Sequence, residues 1–172
     1  AGPGPRNMAS DGIQLSQGAI ATETPGLKPG EDPVPNVRDE ASGVLDIQMY
    51  VDYLCPICGQ FEATNGEYIS SLLENGGTTV EIHPIAILDR LSQGTKYSTR
   101  AVNAAACVAD MSPNQFYDFH NQLFANQPAE NTTGLTDEEI IALTVAAKVD
   151  NADKIASCIK DQSFKAWATA AT

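Results

Sequence analysis

The sequence predicts an α/β fold, and three observations support this prediction. Residues 45–51 (LDIQMYV) alternate apolar and polar side chains, as a half-buried strand does. Pro56 then opens a helical pattern that runs to the "NGG" at 75–77, where glycines are typical of a helix end. Residues 78–88 (TTVEIHPIAIL) predict a second strand. A strand, a helix and a strand at this spacing indicate a parallel, right-handed βαβ unit.

The rest of the chain divides around this unit. Residues 1–43 are rich in Gly, Pro and charge, which predicts an extended N-terminal arm with a short strand or hairpin around residues 13–20. Residues 44–94 hold the βαβ unit. Residues 95–172 read almost wholly as helices, and the last helix reaches the chain end without a stop signal.

Two helix starts in the C-terminal half carry clear signals. Ser112 followed by Pro113 predicts an N-cap and a first helical residue. Thr136 with Glu139 three residues later predicts a capping box.

Composition excludes several functions. The 172 residues carry a net charge of −12, which argues against nucleic-acid binding because phosphate contacts need clustered Lys and Arg. No apolar run approaches the roughly 18 residues of a membrane span. The first residues, AGPGPRN, lack the apolar region of a signal peptide, so we expect them to be the stub of a removed leader.

Two cysteines three residues apart stand at the predicted helix start. If Cys55 is the N-cap and Pro56 the first helical residue, the Cys55 sulfur faces free backbone N–H groups and the positive end of the helix dipole. Both favour the thiolate, which is the nucleophilic form. The sequence therefore predicts Cys55 as the nucleophile and Cys58 as the resolving cysteine, with the dipeptide Pro56-Ile57 adjusting the thiolate.

The other cysteines leave alternatives open. A zinc site usually takes four ligands in short-spaced pairs, and this chain has one such pair, which makes metal binding the lesser interpretation. Cys107 and Cys158 lie 51 residues apart. The chain-entropy model gives about 4 kcal/mol for a disulfide closing that loop, against about 2 for a CxxC loop. We expect a structural disulfide there, the alternative being two buried thiols.

Acids and aromatic residues around the motif have simpler interpretations. Asp52 and Glu62 flank the cysteine pair, and a carboxylate near Cys58 could relay a proton during resolution. A solvated surface position is more common for such acids, so Asp52 is a secondary candidate. Apolar side chains recur at helical spacing over 116–124 and predict core, with His120 packed among them.

These motifs together resemble a known family. The stretch YVDYLCPICGQFE, followed by IHPIAILDR, AVNAAACVAD and FYDFHNQLFANQ, resembles the DsbA-like thioredoxin-fold proteins of actinobacterial cell envelopes. The resemblance implies a thioredoxin-like fold with an all-helical insertion. It also implies a thiol–disulfide oxidoreductase with Cys55 and Cys58 as its redox pair, without a metal or cofactor. The resemblance further implies an extracytoplasmic location, often behind an N-terminal membrane anchor, and a quinone-linked membrane partner that reoxidises the pair.

One part of the family pattern has no counterpart in the sequence. Thioredoxin-fold enzymes carry a cis-proline loop, a β-hairpin and a final helix after the helical insertion, but no proline follows Pro128. Pro84 precedes the insertion and is in the wrong place for that role. We therefore expect a fragment that lacks these elements and does not fold stably alone, because a two-stranded unit leaves a sheet edge and an apolar face uncovered.

The expected activity is disulfide donation to secreted or envelope proteins. Thiolate stabilisation favours the reduced form and makes the disulfide a better oxidant, so an oxidase leads over a reductase or isomerase. A non-catalytic binding module with the same fold is the alternative from another class.

The dipeptide generates a first testable prediction. Ile57 offers no donor to the Cys55 sulfur, whereas a histidine there would add one. We expect the Ile57→His variant to ionise Cys55 at a lower pH than the wild type in a thiolate-absorbance titration. An unchanged titration in the variant contradicts the prediction.

Overall fold

The computed structural model describes residues 2–172 and contains one mixed sheet and six α-helices. The sheet has four strands in the order β2-β1-β4-β3. The strands are β1 (Ile13–Ser16), β2 (Ile20–Ala21), β3 (Leu45–Val51) and β4 (Thr78–Pro84). The helices are α1 (Pro56–Asn75), α2 (Tyr97–Met111), α3 (Phe116–Ala125), α4 (Asp137–Ala146), α5 (Ala152–Asp161) and α6 (Lys165–Ala170).

The predicted βαβ unit is confirmed in its order and direction. β3 and β4 pair in parallel with Leu45 opposite Thr78, and α1 connects them. Gly76 ends α1 with a positive φ of 76°, which glycine adopts more readily than other residues. The capping box at Thr136 and Glu139 is also present. The predicted helix start at Ser112 and Pro113 is confirmed in position, but it opens a 3-10 turn that leads into α3 at Phe116, and the Ser112 side chain makes no capping hydrogen bond.

The N-terminal arm contributes a strand to the sheet. β1 pairs antiparallel with β4, with Ile13 opposite Ile82, and β2 closes a short hairpin on β1. The short hairpin predicted around residues 13–20 is confirmed, but the expectation of a two-stranded sheet is wrong, because β1 pairs with the edge of β4. This pairing buries Ile13 and Leu15 fully in the core.

The core lies between one face of the sheet and the helices. Val80 and Ile82 of β4 are fully buried beside β1, and α2 is buried along most of its length. The disulfide Cys107–Cys158 joins α2 to α5 in this core, with Cα atoms 6.0 Å apart. Among the helices of residues 2–172, none combines the length and apolar character that a membrane span requires.

The opposite face of the sheet carries a buried polar cluster. Glu81 lies 2.9 Å from the His83 ring nitrogen and accepts a hydrogen bond of 2.7 Å from the Ser10 hydroxyl. Tyr50 stacks on the His83 ring at 4.5 Å. Burial alone would raise the pKa of Glu81, but hydrogen bonds from His83, Ser10 and Asn36 outweigh burial and hold this pKa below its ordinary value. The cluster therefore ties the arm to β4.

This cluster predicts a contribution to acid stability. A carboxyl whose pKa is lowered by folding stabilises the protein above its unfolded pKa of about 4.3, and this stabilisation is lost as the pH falls. We expect Glu81→Gln to flatten the pH dependence of the free energy of unfolding below about pH 5. Urea unfolding across pH measures this. Glu67→Gln, at an exposed site on α1, is the matched control and should keep the wild-type slope.

Candidate redox site

The N-terminal turn of α1 carries both cysteines of the CPIC motif. Cys55 is the N-cap residue, with extended backbone angles, and Pro56 is the first helical residue. The Cys55 sulfur accepts a long hydrogen bond of 3.5 Å from the backbone N–H of Cys58. Both sulfurs are free and partly accessible. Because helix N-terminal N–H groups lack helical partners, the Cys55 sulfur occupies the position where negative charge is best stabilised.

Cys58 has a different environment from Cys55. Desolvation by its surroundings raises the pKa of the Cys58 thiol to about 11, and the nearby Cys55 and Asp52 add to the rise against one opposing backbone hydrogen bond. Cys58 therefore remains protonated at neutral pH, and of the two cysteines Cys55 occupies the N-cap position.

Asp52 is buried beside this pair, with an exposed fraction of 1%. Its carboxylate accepts hydrogen bonds from the backbone N–H groups of Leu54 (2.9 Å) and Leu88 (3.0 Å) and from the Ser98 hydroxyl (2.8 Å). Burial raises the pKa of Asp52, although these hydrogen bonds oppose the rise. The expectation that an acid here lies at a solvated surface position is therefore wrong for Asp52.

A second buried acid lies one helical turn beyond Cys58. Glu62 of α1 is 2.9 Å from Nε2 of His120, and the Tyr53 hydroxyl is 3.1 Å from Nδ1 of the same ring. A neutral imidazole with its proton on Nε2 donates to Glu62 and accepts from Tyr53, so one tautomer satisfies all three groups. Burial and the charge of Glu62 raise the pKa of Tyr53 well above its ordinary value. The triad fastens α3 to the loop before Cys55.

The predicted site residues separate into two groups. Cys55, Pro56, Ile57, Cys58 and Asp52 meet at the start of α1, and the Ile57 side chain is 75% exposed between the cysteines. Cys107 and Cys158 are paired with each other on α2 and α5. His120 lies in the core as expected, but its pairing with Glu62 was not expected.

Sequence reasoning missed two residues that contact the active-site loop. Ser98 bonds Asp52 from α2, and Gln127 bonds the loop backbone from the end of α3. Both are 40 or more positions from the motif and have ordinary polar side chains, so no local signal in the sequence could have singled them out.

This arrangement can carry out thiol–disulfide chemistry. A cysteine at a helix N-terminus, a second thiol three residues on and a strand directly before them, on a thioredoxin-like fold, form the arrangement that thiol–disulfide exchange requires. The model of the family described as Thioredoxin matches residues 40–172.

Two solved structures of similar proteins indicate the group within this family. DsbA from Mycobacterium tuberculosis, in its reduced form, has a TM-score of 0.71 and 30% sequence identity, covering 92% of this chain and 74% of that one. The reduced disulfide bond oxidoreductase DsbG from the same organism has the same TM-score and identity, covering 92% and 70%. The chain therefore belongs to the thioredoxin family and, within it, to the DsbA-like thiol–disulfide oxidoreductases.

A curated relative shares a shorter region. The Ser/Thr-protein kinase PknE of Mycobacterium tuberculosis is 34% identical over 120 residues, which cover 66% of this chain. The match spans only 20% of the length of that kinase. A segment similar to this chain is thus part of a much longer protein.

The contrast between the cysteines predicts selective alkylation. We expect iodoacetamide at neutral pH to modify Cys55 of the reduced protein and to spare Cys58, because a thiol of pKa about 11 is almost wholly protonated there. Peptide mass spectrometry after brief exposure measures the two sites. Equal labelling, or preferential labelling of Cys58, contradicts the prediction.

Proposed function

We propose that this protein is an extracytoplasmic protein thiol–disulfide oxidoreductase that forms disulfides in secreted or envelope proteins through Cys55 and Cys58. The observation that carries the proposal is the N-cap position of Cys55, whose sulfur accepts the Cys58 N–H at the start of a 20-residue helix. The relatives named DsbA and DsbG support the reaction class.

The proposed reaction starts from the oxidised Cys55–Cys58 disulfide. A substrate thiolate attacks the Cys55 sulfur, a mixed disulfide forms and the Cys58 sulfur leaves with the electron pair. A second substrate thiolate then attacks the substrate sulfur of the mixed disulfide and releases Cys55 as a thiolate. The substrate gains a disulfide and loses two electrons, which the Cys55–Cys58 pair gains.

Asp52 fits a proton-transfer role in this reaction. A thiol of pKa about 11 leaves poorly as a bare thiolate, so its departure is faster when a proton reaches it. Asp52 is the buried acid whose charge acts on Cys58, and its own pKa is raised by burial. We propose that Asp52 passes a proton to Cys58 when the disulfide opens and takes it back when the disulfide re-forms.

Stabilisation of the Cys55 thiolate supports the proposed direction of the reaction. The helix dipole and the Cys58 N–H favour the charged sulfur, which exists only in the reduced protein. Each 30 mV of the resulting rise in potential corresponds to about 1.4 kcal/mol. This favours an oxidase over a reductase or isomerase. An oxidase acting repeatedly needs a reoxidising partner, and we propose a quinone-linked membrane oxidase.

Two measurements test the proposal. The first is the reduction potential from equilibrium with glutathione, which we expect to be more oxidising than the value of about −270 mV of thioredoxin. The second is the oxidation of a reduced, unfolded secreted protein, which we expect the wild type to carry out. Cys55→Ser should abolish both activities. Cys58→Ser cannot form the Cys55–Cys58 disulfide, so it should not oxidise the reduced substrate. Mixed with a substrate that already contains a disulfide, its Cys55 thiolate should attack that bond, displace one substrate thiolate and remain in a mixed disulfide visible on a non-reducing gel, because the resolving thiol is gone.

A binding module is the second candidate function. The similar segment within the kinase PknE favours it, because a domain of this kind there forms part of a longer chain. A module of this kind would neither oxidise nor reduce substrates, and Cys55→Ser would leave its partner binding unchanged. Activity lost in Cys55→Ser therefore argues for the oxidoreductase, and activity absent from the wild type argues for the module.

A further inference from the structure

We propose that Gln127 is a positioning residue of the redox pair and that Gly59 is required to make room for it. Gln127 follows α3 and lies 69 positions beyond Cys58 in the sequence. Its side chain reaches back to the active-site loop and holds the backbone on which the Cys55 sulfur stands. The inference rests on the proposed function and deepens it.

The contacts of the Gln127 amide are specific. Its nitrogen Nε2 donates hydrogen bonds to the backbone carbonyls of Cys55 (2.8 Å) and Tyr53 (3.1 Å). Because carbonyl oxygens only accept, the amide nitrogen must make both bonds, and this fixes the orientation of the side chain. One half-buried side chain thus bridges two carbonyls on either side of Leu54.

The Cys55 carbonyl links this contact to the sulfur. The same oxygen accepts the first helical hydrogen bond of α1, from the N–H of Gly59 at 3.1 Å. The direction of this carbonyl follows the backbone ψ angle of Cys55, which is 117°. That angle determines how the N-cap residue meets the first turn of α1. Loss of the Gln127 bonds would leave the sulfur less firmly placed at its 3.5 Å contact with the Cys58 N–H.

Charge acts in the same direction as geometry. The amide N–H groups of Gln127 bring the positive end of a dipole to the Cys55 carbonyl. A donor near the cysteine favours its thiolate, as the helix N-terminus does. Removing Gln127 should therefore destabilise the thiolate both by loosening the loop and by removing the dipole.

Gly59 provides an independent observation. It lies within the first turn of α1, where glycine costs about 1 kcal/mol relative to alanine. A Cβ atom built at Gly59 would overlap the side-chain amide oxygen of Gln127. The space that glycine leaves open is thus the space that the Gln127 amide occupies.

The Tyr53 side chain contacts α3, the helix that precedes Gln127. Its hydroxyl meets His120 of α3 at 3.1 Å, while its carbonyl accepts from Gln127 just beyond α3. The loop before Cys55 is therefore held to the α3 region by both backbone and side chain. Gln127 supplies the part of this attachment that reaches the cysteine itself.

The experiment uses the full chain and four variants. Gln127→Ala removes the amide, and Gln127→Glu keeps its size but cannot donate to either carbonyl as a carboxylate. Gly59→Ala displaces the amide without altering it, and a fourth protein combines Gln127→Ala with Gly59→Ala. Asn126→Ala is the matched control, because Asn126 is exposed at the end of α3 and bonds Gln122 instead of the loop.

Three measurements are made on each protein. The equilibrium constant of the Cys55–Cys58 pair with glutathione reports the redox effect, and thiolate absorbance reports the pH at which Cys55 ionises. Urea unfolding reports stability. We expect all three single changes at Gln127 and Gly59 to shift the equilibrium about three- to tenfold toward the disulfide, which is roughly 15–30 mV. Cys55 should ionise at higher pH in each.

The combined variant decides the mechanism. If Gly59→Ala acts by displacing Gln127, it should add nothing to the shift already caused by Gln127→Ala. Unshifted equilibria in Gln127→Ala and Gln127→Glu overturn the inference, as do additive shifts in the combined variant. An equal shift in Asn126→Ala also overturns it, because the effect would then follow general destabilisation.

Failure of the proposed function gives a different result. In that case the wild type itself shows no turnover of protein substrates. The thiolate titration and the glutathione equilibrium can still be measured, so the Gln127 variants can still be compared with the Asn126→Ala control. A wild type that turns over normally, with Gln127 variants that match it in all three measurements, overturns only the positioning role.

Discussion

The start of α1 at Cys55 is the constraint on which the site depends. Proline at the first helical position fixes φ and removes a donor that the helix could not use, so the helix begins there and nowhere later. The Cys58 N–H of the first turn donates to the Cys55 sulfur. A shift of this boundary by one residue would turn the sulfur away from that donor.

Buried polar groups hold this helix start in place from several directions. Asp52 links the loop to α2 through Ser98 and to the segment after β4 through the Leu88 N–H. The Glu62–His120–Tyr53 triad links α1 and the loop to α3. Each of these named groups has a hydrogen-bond partner, and leaving such a buried group unpaired typically costs about 1–3 kcal/mol, and more when the group is charged. Polar networks thus give the site its rigidity.

The elements outside the βαβ unit complete its core. The arm adds β1 to the exposed edge of β4, and the Ser10–Glu81–His83 cluster secures that arm on the opposite face of the sheet. The Cys107–Cys158 disulfide joins α2 and α5 within the helical layer. The helices that contact the redox loop are therefore fixed within one core, and the side chains of Ser98 and Gln127 reach this loop although they are distant from it in sequence.

The sequence by itself determined the features that depend on local chemistry. Alternation predicted β3, Pro56 and the glycines at 76–77 bounded α1, and the two cysteines at a helix start indicated redox chemistry. Only the tertiary structure decided that β1 joins the sheet, that Asp52 and Glu62 are buried and that Gln127 reaches Cys55. The physical reason is that capping and periodicity act over a few residues. Burial and long-range hydrogen bonds depend instead on which distant segments the core brings together.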